Sequence, residues 1–218
     1  MIKADLHVHT RHSVDSYMSY QQLIDACQSK GINCIAVADH GTTLGAREII
    51  KIAPFKVIIC EEIRTPYGEI MGMFLQEDIP DKITVDETIK RIRGQGGLIC
   101  IPHPYDRVRP SALRNEKILE ELADRVDIIE VFNSRSLFPG AEKKARSLAL
   151  RHGKLISFGS DAHSPAEIGY AFNEMPDFNG PDEYLTSLAS ARFYGRKSSP
   201  LIHLITTTAR LSKLSKRA

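Results

Sequence analysis

Short apolar runs alternate along the chain with stretches in which apolar residues recur every three or four positions. The first pattern predicts buried strands, and the second predicts amphipathic helices. Strands are expected at residues 2–9, 33–39, 56–63, 69–75, 98–101, 126–132 and 154–159. Helices are expected at residues 19–30, 44–53, 84–93, 141–152 and 181–191. This alternation predicts a mainly parallel sheet covered by helices.

Local signals mark the ends of several of these helices. Ser19 and Gln22 have the spacing of a capping box at the start of the first helix, and Gly31 follows its end. Thr84 and Glu87 repeat the capping-box spacing. These helices are therefore predicted with defined first residues.

The later strands indicate how the sheet is organised. The runs LICI, DIIEVF and KLISFG are almost continuously apolar, as expected for strands that are buried on both faces. Six or seven strand–helix units favour a closed α/β barrel over an open sheet. Because neither a linker nor a repeat interrupts the pattern, we expect one domain over residues 1–218, in which residues 209–218 form a basic tail.

Composition and charge exclude several classes of protein. The chain of 218 residues is 42% hydrophobic and 26% charged, as in ordinary water-soluble domains. Its net charge of +2 gives no argument for binding a long polyanion or an anionic membrane. No apolar run approaches the ~20 residues that span a bilayer. The four cysteines are expected to be buried thiols in a reducing compartment, which favours a cytoplasmic enzyme.

Histidines and acidic residues gather where the predicted strands end. The first strand ends in DLHVH, the second in DH, the third carries EE, and later strands lead into IPHP and SDAH. Alternate side chains of a strand share a face, so Asp5, His7 and His9 are expected to point the same way. The carboxyl ends of barrel strands carry active sites, and buried imidazoles and carboxylates are costly unless they are paired or metal-bound. Five strand-end histidines in step with acids therefore favour a metal site over isolated structural histidines.

These residues also carry a resemblance to a known family. The motifs ADLHVHT, AVADHG, CEEI, IPHPYD and FGSDAHS resemble, in this order, those of the polymerase and histidinol phosphatase (PHP) family, and the match runs from Asp5 to Gly169. The resemblance implies a distorted (βα)7 barrel with two or three divalent metal ions. It also implies hydrolysis of a phosphoester by a metal-activated water. Mixed imidazole and carboxylate ligands suit zinc, manganese or iron.

The resemblance assigns a role to each strand-end residue. The implied ligands are His7, His9 and Asp161 for a first ion, His103 for a second, and His40, His163 and Asp15 for a third, with Glu62 bridging two ions. Glu62 is preferred to Glu61 as the bridge, and Asp5 and Asp39 are expected to orient imidazoles. Met71 and Asn133 stand where many family members have histidine, which leaves two and three ions both open.

Arginines close to the strand ends are candidates for holding the phosphate. Arg107 and Arg109 follow His103, and Arg135 follows the next predicted strand. A guanidinium group can hold two phosphoryl oxygens at once. The expected substrate is a small phosphorylated compound or a short nucleic-acid end. We expect no membrane partner, and the pattern leaves the oligomeric state open.

Two alternative functions remain open. Amidohydrolases also begin with an HxH motif on a barrel strand, but they usually place a lysine at the end of strand four or a lone aspartate late in the chain. Here His103 and the pair Asp161 and His163 occupy those places, which favours the phosphoesterase. A non-catalytic, metal-stabilised interaction module is the second alternative.

Overall fold

A computed structural model describes residues 1–200 and residue 202, and within this part the strands form one sheet. The strands are β1 (Ile2–Val8), β2 (Cys34–His40), β3 (Lys56–Thr65), β4 (Gly68–Met73), β5 (Leu98–Ile101), β6 (Ile128–Asn133), β7 (Leu155–Gly159), β8 (Ala171–Met175) and β9 (Arg192–Gly195). They lie in the order β7-β6-β5-β4-β3-β2-β1-β8-β9. Beyond the end of β7, Ala162 pairs with Val8 as a parallel bridge and accepts a hydrogen bond from the His9 amide. This contact brings β7 back to β1, so the sheet nearly closes into a barrel.

The helices cover the outside and one end of the sheet. They are α1 (Tyr20–Lys30), α2 (Leu44–Ile49), α3 (Val85–Gly94), α4 (Glu116–Ala123), α5 (Pro139–Arg151) and α6 (Gly180–Ala189). Ser19 caps α1 with both bonds of the predicted capping box, and Gly31 ends the helix in the left-handed conformation. Thr84 caps α3 through the Glu87 amide. The capping signals therefore place the ends of these helices correctly.

The expected α/β barrel is confirmed, whereas the count of seven strand–helix units is not. The pairs β1–β2, β2–β3, β5–β6 and β6–β7 are parallel, but β3–β4, β4–β5, β1–β8 and β8–β9 are antiparallel. The sheet is thus more mixed than the apolar pattern predicted. A tight turn joins the antiparallel strands β3 and β4, but α3 lies between β4 and β5 and α6 lies between β8 and β9, so a helix between two strands does not make them parallel here. Helix α4 and strands β8 and β9 were missed, and α2 is shorter than expected. The predicted basic tail at 209–218 lies outside the described residues.

Alternation along the strands decides which side chains face the barrel interior. Ala36 and Ala38 join an apolar cluster drawn from β1 to β6, β8 and α6, whereas their neighbours Ile35 and Val37 pack in a separate cluster with α1 and α2. All four cysteines are buried and free, as expected. Alternation puts His40 on the same face of β2 as Ala38, and Glu62 on the same face of β3 as Cys60. His40 and Glu62 therefore continue the interior faces at the carboxyl ends of their strands. Sheet register therefore brings these polar side chains to one end of the barrel, where Asp39 pairs with Glu61 and His40 with Glu62.

Candidate metal centre

Two histidines from the end of β1 meet two carboxylates at the centre of the cluster. The Nε2 atoms of His7 and His9 lie 3.1 Å apart. His9 Nε2 is 3.2 Å from Asp161 Oδ1 and 3.5 Å from Glu62 Oε2, and His7 Nε2 is 3.3 Å from Glu62 Oε1. All four side chains are fully buried. Four side chains from distant parts of the sequence thus converge on one point.

A second group of donors surrounds the other side of Glu62. His103 Nε2 lies 2.9 Å from Glu62 Oε1 and 3.8 Å from Glu69 Oε2. Glu69 lies on β4 and is completely buried, and its Oε1 is 3.4 Å from His40 Nδ1. Glu62 therefore stands between the first group and a second group that contains another carboxylate.

A third group lies towards solvent. His9, His40 and His163 bring ring nitrogens within 4.8 Å of one another. Asp15 connects two of these rings, with its Oδ2 3.4 Å from His40 Nε2 and its Oδ1 3.1 Å from His163 Nε2. The Asp15 side chain is 21% exposed, more than any other carboxylate of the cluster. The structure thus brings together all eight residues that the sequence argument named as metal ligands.

The ring nitrogens and carboxylate oxygens of the cluster are better placed to bind cations than to hydrogen-bond with one another. If His7 donates through Nδ1 to Glu130, its Nε2 carries a lone pair, and the contact with His9 Nε2 is a hydrogen bond only when His9 carries a proton on that atom. In the described part of the chain, Glu62 Oε2, both oxygens of Glu69 and Asp161 Oδ1 are buried without a hydrogen-bond partner. Buried carboxylate oxygens without partners are costly, and metal coordination removes that cost. Imidazole and carboxylate donors are also the set that zinc, manganese and iron accept.

The electrostatic state of the cluster supports this reading. Burial lowers the pKa of His9, and the neighbouring His163 adds to the effect, which brings it to about 3 and leaves the ring neutral. Burial raises the pKa of Glu62, but the charges of His7 and His40 outweigh it and hold that pKa well below its ordinary value. Burial likewise opposes ionisation of Asp161, whose pKa is nevertheless held well below normal by Arg109 and His7. Burial lowers the pKa of His7 and of His40, but nearby carboxylates, Glu62 foremost for His7 and Glu69 for His40, outweigh it and raise the pKa of both rings, that of His40 to about 10. Without metal, protons on these rings therefore balance the ionised carboxylates, and a bound cation would take the place of those protons.

Two cluster residues have backbone conformations that L-amino acids rarely adopt. His103 has φ 31° and Asp161 has φ 56°, each just beyond the end of a strand. A non-glycine residue in this region costs on the order of 1–3 kcal/mol and persists only where the surroundings enforce it. Both residues turn their side chains into the cluster, so the two unfavourable backbone conformations occur at candidate metal ligands.

Glu130 of β6 supports the cluster from behind. Its Oε1 lies 3.0 Å from His7 Nδ1, and its Oε2 accepts from the His103 amide at 2.7 Å and from Asn133 Nδ2 at 3.0 Å. Gly159 makes this possible, because a Cβ there would lie 2.2 Å from Glu130 Oε1 and 2.5 Å from His7 Cβ. A carboxylate behind a metal-binding imidazole fixes the ring orientation and its tautomer.

The roles expected for Asp5 and Asp39 require correction. Asp5 accepts hydrogen bonds from the amides of Ser160 and Gly169, and a register shift in β1 between Asp5 and Val8 separates its direction from that of His7. Asp39 accepts from the amide and the hydroxyl of Thr10, each at 2.6 Å. Burial raises the pKa of Asp5 to about 6. Among the described residues, neither carboxylate is seen to orient an imidazole ring, and both hold the backbone of strand-end loops in place.

The adjacent glutamates of β3 occupy different environments. Glu62 lies in the cluster, whereas Glu61 accepts a hydrogen bond from the Ile79 amide at 2.9 Å. Burial raises the pKa of Glu61 to about 8. Since neighbouring side chains of a strand point to opposite faces, only one of the pair can reach the cluster.

The three candidate arginines lie in different places. Arg109 pairs through Nη2 with Asp161 Oδ2, and its side chain is only 16% exposed. Arg107 is exposed and lines a separate cleft with Phe138, so the expected contact with the cluster is not seen. Arg135 is buried and lies 3.5 Å from Glu167 Oε1. Only Arg109 therefore reaches the cluster, because the loop after His103 turns Arg107 outward.

Sequence reasoning named Met71 as a place where a metal ligand was missing. Met71 is buried among the apolar side chains of the barrel interior, opposite Glu62 in the β3–β4 pairing. Glu69 lies two residues earlier on the same face of β4 and supplies a carboxylate to the cluster instead. The signal that could have revealed it is the hairpin itself, which folds Glu69 back beside the end of β3. Asn133 donates to Asp161 Oδ2 at 3.2 Å, so it supports a ligand.

Comparisons with known proteins agree with this geometry. A family model described as the PHP domain matches residues 5–96, and a model described as PHP-associated matches residues 139–192. The uncharacterized protein MJ0417 of Methanocaldococcus jannaschii is 36% identical over 197 residues, which is 86% of this chain and 79% of that protein.

Solved structures share the fold at low sequence identity. A two-domain protein of Bacteroides vulgatus, described as containing a predicted PHP-like metal-dependent phosphoesterase, matches with a TM-score of 0.70 and 18% identity. The match covers 89% of this chain but 65% of that one, so this chain spans less than two thirds of its length. An amidohydrolase of Chromobacterium violaceum, solved with sulfate and no metal, matches at a TM-score of 0.64 and 16% identity, over 94% and 96% of the two chains. Every helix of the described residues is too short or too polar to cross a bilayer.

Proposed function

The chain belongs to the PHP family, and on this premise we propose that it is a metal-dependent phosphoesterase acting on a phosphomonoester or a nucleic-acid end. The observation that carries the proposal is the arrangement of four three-residue donor groups around Glu62 and the strand-end histidines. Such closely spaced groups match the two-ion arrangement that hydrolyses phosphate esters.

The residues divide naturally among two or three divalent ions. His7, His9 and Asp161 would hold one ion, His103 and Glu69 a second, and His40, His163 and Asp15 a third, with Glu62 shared. Zinc, manganese or iron in these places supplies Lewis acidity and an activated water. Glu69 supplies a carboxylate to the second group, in which Met71 had suggested that a ligand was missing.

The chain's own residues indicate the direction from which a substrate arrives. The central donors His7, His9 and Glu62 are fully buried, whereas Asp15 and Arg109 retain 21% and 16% exposure. The ester would therefore approach between Asp15 and Arg109. There the Arg109 guanidinium can pair with phosphoryl oxygens and stabilise their charge during transfer.

The test combines metal analysis with a substrate screen. We expect two or three transition-metal ions per chain and release of inorganic phosphate from phosphomonoesters. Glu62→Gln should lose most activity and at least one ion, whereas Glu61→Gln, the matched change on the opposite face of β3, should retain both. Hydrolysis of amides or lactones only would overturn the phosphoesterase in favour of an amidohydrolase. Absence of bound metal, with none regained from manganese or zinc, would overturn the metal site itself.

A further inference from the structure

A cleft of about 560 Å³ lies beside the metal centre, between the β3–β4 turn and residues 110–115. The turn and the segment pack closely, because the Glu69 amide donates to the Ser111 carbonyl at 2.8 Å. Gly68 has φ 144°, and a Cβ there would lie 2.7 Å from the Leu113 amide nitrogen. The walls are thus built by a backbone approach that only glycine allows.

Arg64 connects this cleft to the metal centre. It lines the cleft, and its Nε lies 3.5 Å from Glu69 Oε1. The same Glu69 oxygen is 3.4 Å from His40 Nδ1. A side chain of the cleft lining therefore contacts the candidate ligand Glu69. Pro110 of the lining also directly follows Arg109, which pairs with Asp161, so the cleft adjoins the cluster at two points.

The lining of the cleft combines positive charge with an aromatic surface. Arg64 and Arg114 contribute guanidinium groups, and the Tyr67 ring at the turn is 55% exposed. Among the described residues, the lining contains no aspartate or glutamate. Arg114 donates to the Arg107 carbonyl at 3.4 Å, which holds its side chain along the segment. An exposed aromatic ring beside guanidinium groups is the combination that binds bases and phosphates of nucleic acids.

We propose that this cleft binds the nucleoside part of a nucleotide substrate, with the base stacked on Tyr67 and its sugar–phosphate facing Arg64 and Arg114. The inference rests on the proposed function, because the ester phosphate is taken to lie at the metal centre. Pockets of roughly 300–1,000 Å³ hold ligands of this size. A sugar phosphate without a base would leave the Tyr67 ring uncovered, so the cleft predicts a preference for nucleotides.

The experiment compares two substrates that differ only by the base. Adenosine 5′-monophosphate and ribose 5-phosphate are given to the metal-loaded protein, and kcat/KM is measured for each. Stacking of one base predicts a preference of at least about tenfold for the nucleotide. Tyr67→Ala should lower this ratio about tenfold, and Arg114→Gln should raise KM for the nucleotide. Tyr194→Ala and Arg91→Gln remove an exposed tyrosine and an exposed arginine far from the cleft and should keep the wild-type ratio.

Calorimetric binding of adenosine 5′-monophosphate separates this inference from the proposed function. Binding that weakens about tenfold in Tyr67→Ala supports the cleft even if neither compound is hydrolysed, a result that would count against the phosphoesterase. Equal kcat/KM for the two substrates, with a ratio unchanged in Tyr67→Ala, overturns the cleft while phosphate release still supports the phosphoesterase.

Discussion

Replacement of Glu130 by glutamine tests whether the residues behind the ligands hold the metal centre in shape. Glu130 faces three groups that donate or can donate: His7 Nδ1 at 3.0 Å, the His103 amide at 2.7 Å and Asn133 Nδ2 at 3.0 Å. The two carboxylate oxygens accept from these groups, Oε1 from His7 and Oε2 from the other two. Glutamine retains one oxygen and presents an NH2 group in place of the other. Whichever way the amide turns, its NH2 group faces at least one of these donors.

The size of the effect follows from burial. An unpaired buried donor costs about 1–3 kcal/mol, and Glu130 is only 3% exposed, so water cannot relieve the mismatch. If the NH2 group faces His7, the ring proton must move from Nδ1 to Nε2, and the nitrogen that faces the cluster can then no longer bind a metal ion. Loss of a carboxylate behind a metal-binding histidine typically lowers metal affinity or activity 10–100-fold. We therefore expect Glu130→Gln to lose about 1–3 kcal/mol of unfolding free energy and 10–100-fold of metal affinity.

The assay measures urea unfolding of the metal-free protein and metal affinity by competition with a chelator. Glu61→Gln is the matched control, because burial raises the pKa of Glu61 to about 8 and its contact is with one amide, that of Ile79. An amide there replaces a carboxyl group that is neutral at pH 7, so stability and affinity should change little. Wild-type metal affinity in Glu130→Gln, or equal losses in both variants, would refute the reasoning.

Three further outcomes are expected. Gly159→Ala should lose about 1–3 kcal/mol in urea unfolding, because the new Cβ would lie 2.5 Å from His7 Cβ, whereas Gly94→Ala, with open space around it, should not. Removal of bound metal by a chelator should lower Tm, and added manganese or zinc should restore it, since ions bound to the native state stabilise it. Hydrogen bonds to Glu120 and then Asp124 raise the pKa of His152, so its stabilising contribution is complete below about pH 6.5 and is lost as pH rises through the raised pKa. His152→Asn should therefore destabilise more at pH 6 than at pH 9 in thermal unfolding, and an equal loss at both would contradict this.

The sequence predicted the elements that depend on neighbouring residues better than it predicted strand pairing. Ser19 and Gln22 lie three positions apart, and their reciprocal hydrogen bonds depend on that spacing alone. Strand β9 is mostly exposed and carries little apolar pattern, so its pairing with β8 could not be read from its own residues. Helix α4 is short, and its start depends on a cap by Asn115 that the apolar pattern does not contain.

The same distinction explains which site residues were found. His7, His9, Asp161 and His163 belong to compact motifs in which alternating positions place donors together. Glu69 and Glu130 lie singly in apolar strands, and each is recognisable only after strand pairing places it beside a histidine. Asp5 shows the converse error, because a register shift in β1 interrupted the alternation from which its side chain was expected to point the same way as His7 and His9.

Glu69 also bears on how many ions the centre can hold. Because Met71 stands where many family members have histidine, the sequence offered only Glu62 and His103 for the second group, and two and three ions both stayed open. The structure supplies Glu69 within 3.8 Å of His103 and 3.4 Å of His40, so its carboxylate lies between the second and third groups. A carboxylate with two oxygens can serve both groups, as Glu62 can serve the first and second. The number of available ligands is therefore sufficient for three ions, and Met71 gives no support to the alternative of a non-catalytic, metal-stabilised interaction module.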